Sequence, residues 1–174
     1  MSEAFVLPQP VLDAMLAHAH AQAPRECCGI LLGEDRLVTE ALPAANIAAS
    51  PERAYALAPD ALTDALLRHP GRDVIGFYHS HPSHDAQPSA QDIANWHYPE
   101  LAMVIISLRE SHVAAWQVRP GVVTPLEIAR QAPVSSTLAR SAAVPAAALL
   151  SAIIAIALAI AVALAILPPA PAIP

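Results

Sequence analysis

Charge is distributed along this chain in a way that limits what each part can fold into. The nine cationic residues are all arginines and end at Arg140, the fifteen acidic residues end at Glu127, and residues 141–174 carry no charge. Within that stretch, residues 146–167 (AAALLSAIIAIALAIAVALAIL) hold a single polar side chain, Ser151. A helix of this length spans roughly 33 Å, against a bilayer hydrocarbon core of about 30 Å. The Ala/Ile alternation would also suit a strand, but a lone strand leaves its backbone unpaired in lipid, so a transmembrane helix is the expected form. An alanine-rich helix packed on a partner chain is the alternative. Residues 129–145 read as a linker and 168–174 (PPAPAIP) as a short tail, which makes the segment a C-terminal membrane anchor. Arg130 and Arg140 precede it and no cation follows, so the positive-inside tendency places the rest of the chain in the cytoplasm.

Residues 1–128 suffice for one domain with a true core. A net charge of −6 and the absence of an arginine cluster argue against nucleic-acid binding, which needs a concentrated basic surface. Cys27 and Cys28 are neighbours whose side chains point to opposite faces of a strand, so an ordinary disulfide between them is not expected; this suits a reducing compartment. No basic start followed by an apolar run marks a secretory signal.

Residues 10–22 place Leu12, Met15, Leu16 and Ala19 at helical spacing, with Pro10 suited to a first turn. Residues 28–34 and 36–42 predict a hairpin, 43–54 a loop, 55–57 a short strand and 60–68 a second helix. A strand is expected over 73–80, a third helix over 89–97, and further strands over 102–108, 112–118 and 122–128. Strands and helices mix without regular alternation, so the class is α+β, a mixed sheet flanked by helices.

One stretch carries chemistry: GFYHSHPSHDAQPSAQD, residues 76–92. His79 and His81 lie two apart, so on a strand both project from one face, a spacing that lets two nitrogens share one metal. Pro82 ends the strand, having no N–H for a ladder. Ser89 and Asp92 have the form of a capping box, and an acidic group in a first helical turn is favoured in any case. Asp92, His84 or Asp85 could complete a ligand set. Glu26, Glu34, Glu40 and Glu52 are equally available as an acidic partner.

HSHP, six residues and then SxxD resembles the signature of the JAMM/MPN+ zinc metallopeptidases. PRECCGILLG around Glu26 looks like that family's upstream glutamate segment, and the resemblance continues through Asn46, Tyr55–Pro59, DIANWHYP and VIISL, over roughly residues 4–128. It implies an MPN domain of the cytidine-deaminase-like kind. It also implies one zinc ion per chain held by His79, His81 and Asp92, with the fourth position left for water, Glu26 as general base, and Ser89 as hydrogen-bond donor to the oxyanion. His84 then falls at the rim, near substrate; the remaining histidines read as structural or exposed, and Trp96 and Trp116 as core. The implied substrate is an amide at the C-terminus of a ubiquitin-like or sulfur-carrier protein, met in trans because no such segment is fused here. A metal-free MPN-type scaffold module and a zinc hydrolase of another amide are the alternatives.

Overall fold

The computed structural model describes residues 4–130. In order these form β1 (Phe5–Val6), α1 (Gln9–Gln22), β2 (Cys28–Glu34), β3 (Leu37–Ala44), α2 (Ala61–Arg68), β4 (Asp73–His81), α3 (Ala90–Ala94), β5 (Ala102–Ser107), β6 (His112–Arg119), β7 (Val122–Leu126) and β8 (Ile128–Ala129). The expected membrane span and tail, and all but the first two residues of the expected linker, lie outside the described residues. Among the described residues no helix is long and apolar enough to cross a membrane.

The eight strands form one sheet in the order β7-β6-β5-β4-β2-β3-β1-β8. It is mixed, as expected: β4 runs antiparallel to β2 and parallel to β5, while β1 is parallel to both β3 and β8. The two outermost strands are separated in sequence by Glu127 alone. Consecutive Cα atoms lie about 3.8 Å apart, so the sheet must curl until its edges meet. Leu126 pairs with Ala115 on β6, and one residue later the Glu127 carbonyl accepts from the Phe5 amide on β1. The strand expected over 122–128 is thus a stitch serving both edges, and Ala129, at the start of the expected linker, still pairs with Val6.

The curl also sets the place of α1. Leu12, Met15 and Ala19 form its buried stripe, and they pack in one cluster with Phe5, Leu31, Val38, Tyr78, Val104, Ala115, Leu126 and Ile128. Every strand contributes to that cluster, so the curled sheet wraps one side of α1, which flanks it with its other side exposed. The opposite face carries two smaller clusters, one with Ile30, Leu32 and Phe77 under α2, the other with Met103, Ile105 and Val118 against Trp96 and Trp116. Gly29 is required where the Tyr78 ring and the Leu42 carbonyl leave no room for a Cβ. α3 is shorter than expected: it stops at Ala94, and Trp96 packs edge-on to Phe77 instead of continuing the helix. The parallel pairing of β4 with β5 requires a long crossover, residues 82–101, and this crossover brings α3 back over the end of β4.

Candidate metal centre

The last residues of β4 are buried with polar side chains: His79, Ser80 and His81 are at most 5% exposed. Strand alternation sends Ser80 to one face, where its hydroxyl accepts from the Cys27 amide at 2.8 Å. The two imidazoles go to the other face. The β2–β4 register pairs Cys28 with His79. Continued antiparallel by two residues, it sets Glu26 opposite His81 on that same face. The Ser80 amide donating to the Cys27 carbonyl at 3.0 Å holds this alignment.

α3 supplies Asp92. Ser89 caps it, its Oγ accepting from the Asp92 amide at 3.1 Å while the Ser89 amide donates to Asp92 Oδ2 at 2.7 Å, the reciprocal box expected from the sequence. This bond aims the carboxylate back at β4. His79 Nε2 lies 3.5 Å from Asp92 Oδ1, His81 Nε2 lies 3.4 Å from Oδ2, and the two Nε2 atoms are 3.2 Å apart. A tetrahedral ion with bonds of about 2.0–2.1 Å requires ligand atoms about 3.3–3.4 Å apart. Each imidazole thus has a carboxylate oxygen near that separation, a different one for each, and the three side chains form the one cluster among the described residues that could hold a metal ion.

Each imidazole is oriented differently. His81 Nδ1 lies 2.7 Å from the Asp85 carbonyl, which places the ring proton there and leaves Nε2 free to ligate. His79 Nδ1 has no hydrogen-bond partner among the described residues. Its ring is instead held by Tyr55, stacked at 4.2 Å between centroids and 20° between planes.

Electrostatics separate the two carboxylates. Burial alone would raise Asp92, but hydrogen bonds from His79, His81 and Ser89 hold its carboxyl far below the usual range. Glu26 is 6% exposed and its Oε2 lacks a partner; burial pushes its carboxyl up to about 7, against the pull of His81 and with the help of Asp92. Burial lowers His79, whereas at His81 the same effect is outweighed by hydrogen bonds to Asp92 and Asp85. The result is one carboxylate whose ionised form is favoured and one poised to exchange a proton near neutrality.

The structure brings together His79, His81, Asp92, Glu26 and Ser89. It does not bring His84 or Asp85 into the ligand set. The Asp85 carboxylate faces Arg109 at 3.7 Å, and His84 is exposed, its ring edge-on to His81 at 6.4 Å. Cys27 and Cys28 are free and buried, and burial pushes their thiols up to about 11 and about 12. Sequence reasoning assigned no role to Tyr55, although the stretch containing it was matched. The short strand expected over 55–57 is only an isolated bridge between Asn46 and Leu57, and no local pattern signals what Tyr55 stacks on. Beside Asp92 opens a cavity of about 370 Å³ whose lining includes Tyr55, Leu57, Phe77, Trp96 and Tyr98.

Known proteins resemble this chain over the same region. A family model described as prokaryotic homologs of the JAB domain matches residues 8–119. The desampylase of Haloferax volcanii is 41% identical over 103 residues, 55% of this chain and 74% of that protein. A probable TtuB-protein conjugate cleaving protease of Thermus thermophilus is 38% identical over 97 residues, 53% of this chain and 65% of that one. The solution structure of a protein from Desulfitobacterium hafniense superimposes with a TM-score of 0.68 at 31% identity, covering 76% of this chain and 96% of that one. With a match that spans well over half its length, this chain belongs to the prokaryotic JAB-domain family.

Proposed function

We propose that this chain is a zinc-dependent isopeptidase that hydrolyses an amide bond at the C-terminus of a ubiquitin-like or sulfur-carrier protein. The observation that carries the reading is the register that sets a buried, proton-poised Glu26 across from a His-His-Asp cluster of zinc dimensions. His79, His81 and Asp92 would hold the ion. Zinc supplies Lewis acidity, polarising a carbonyl and lowering the pKa of water to about 7. Glu26 takes a proton from the attacking water and returns it to the leaving amine, a task suited to a carboxyl raised to about 7. Ser89 accepts from the Asp92 amide with a lone pair, so its O–H proton stays free to donate to the oxyanion. His84 stands at the rim on the His81 side.

The apolar cavity beside Asp92 suits an extended tail. Its wall is the ribbon of residues 54–58, and the hydrogen bonds of that ribbon are made by Ala54, Ala56 and Ala58. Backbone groups alternate sides along an extended chain, so those of Tyr55 and Leu57 face away, an open edge to which a peptide can add as a strand. The sheet's edge strands, β7 and β8, contribute no residue to this cavity, which favours the ribbon as the place of addition. The names of the Haloferax and Thermus relatives point to the same class of conjugate. The partner comes in trans.

Residues 146–167 are read as a membrane tether that leaves the domain in the cytoplasm, on the strength of their unbroken apolar run and the two preceding arginines. Release of the chain from membranes by alkaline carbonate without detergent would refute the tether.

The decisive experiment incubates the zinc-loaded full chain with a protein joined through a C-terminal Gly-Gly to a lysine of a second protein. Cleavage is expected, lost on chelation and restored by zinc. Glu26→Gln should keep the metal and lower turnover at least a hundredfold, whereas Asp92→Ala should lose the metal. Normal turnover by Glu26→Gln would remove Glu26 as the base, and a metal-free chain indifferent to chelator would sink the enzyme reading.

A further inference from the structure

The side chain of Asn46 uses all four of its hydrogen-bonding sites on backbone. Its Nδ2 donates to the carbonyls of Glu26 at 2.9 Å and Ala54 at 3.0 Å. Its Oδ1 accepts from the amides of Ala48 at 3.0 Å and Ala56 at 3.1 Å. Ala54 and Ala56 belong to the cavity wall, and Glu26 begins the approach to β2. The Glu26 amide is held by the same loop, donating to the Pro51 carbonyl at 2.7 Å. Both backbone groups of Glu26 are thus gripped by the loop that leads into the cavity wall at Ala54, although twenty residues separate Glu26 from Asn46. Aspartate cannot donate, serine has a single proton, and alanine would remove the shared partner of four backbone groups.

We propose that Asn46 is a positioning residue that couples occupation of the cavity to the placement of Glu26. The inference rests on the reading of Glu26 as the base and of the 54–58 ribbon as the tail site. A peptide paired along Tyr55 and Leu57 stiffens the ribbon. Through the Asn46 amide and the Pro51 carbonyl, that stiffening reaches the main chain on either side of the Glu26 side chain. An enzyme so built holds its base in place most firmly when substrate lies in the groove. A misplacement of about 1 Å at such a group costs on the order of a hundredfold in rate.

The test uses the zinc-loaded full chain and a free synthetic peptide ending in Gly-Gly. Hydrogen exchange at the amides of Glu26, Ala48 and Ala56 should slow together when the peptide saturates the wild-type protein. Asn46→Asp retains the two acceptor contacts and loses the two donor contacts. It should keep full zinc stoichiometry, lower kcat by about ten- to a hundredfold, and retain peptide protection at Ala56 while losing it at Glu26. A Glu26 amide unaffected by saturating peptide in the wild type would overturn the coupling, and that arm stands even if the variant does not fold. So would zinc-loaded Asn46→Asp turning over within twofold of wild type. Normal turnover by Glu26→Gln would instead refute the base assignment, an outcome separate from either of these.

Discussion

Glu26 is expensive to fold around. Its carboxyl is buried, its Oε2 has no partner among the described residues, and it is raised from 4.5 to about 7. The folded state therefore binds its proton more tightly than the unfolded chain, and the metal-free protein loses stability as pH rises from about 4.5 to 7. Glu26→Gln, which cannot ionise, should stabilise the metal-free chain by on the order of 2–3 kcal/mol at pH 8 and by almost nothing at pH 4. Denaturant unfolding at the two pH values checks this, and an equal effect at both would contradict it. Tyr55 offers a second test. With no hydrogen-bond partner at Nδ1, the His79 ring depends on the stacked tyrosine for its orientation. Tyr55→Ala should weaken zinc retention about tenfold, in the range seen when groups supporting metal ligands are removed; Tyr55→Phe should retain zinc like the wild type in competition with a chromogenic chelator.

At the level of elements, the ligands were legible because each obeys a local rule. His79 and His81 follow strand period two, Pro82 ends the ladder, and Ser89 and Asp92 obey helix-capping chemistry. Glu26 was legible only through the resemblance, since nothing local distinguishes it from Glu34, Glu40 or Glu52. What singles it out is cross-strand register, a relation between residues fifty-five apart. Tyr55 and Asn46 were likewise reached only through the resemblance, and without a role, because stacking and loop clamping leave no periodic trace. The capping box carries its own prediction. Ser89→Ala should destabilise the protein by about 1 kcal/mol through the lost cap and lower kcat by about a hundredfold or more through the lost oxyanion donor. Ser89→Asp restores a cap acceptor but no proton, so it should recover stability and not turnover. Recovery of both would show that the hydroxyl acts only through α3.

Across the whole molecule, the class and the mixed sheet follow from the sequence, while the closure does not. An apolar run at 122–129 looks the same whether it pairs with one neighbour or two. Only the fold reveals that Leu126 serves β6 and Ile128 serves β1. Ile128→Asp should therefore do more than expose an edge: it sets a charge against the cluster around α1 and should destabilise the protein by more than about 2 kcal/mol. A midpoint unchanged in urea titration would show that the stitch is dispensable. The stitch also imposes an order of events during biosynthesis. A chain emerging from the ribosome amino end first displays β1 long before residues 122–129 exist to cover it, whereas β6 is followed by them at once. Until they are made the enclosure around α1 stays open at β1, and the contact that shuts it joins residues more than 120 apart, the slowest kind to form. The newborn domain is consequently most in need of a chaperone in the interval before its last strand arrives.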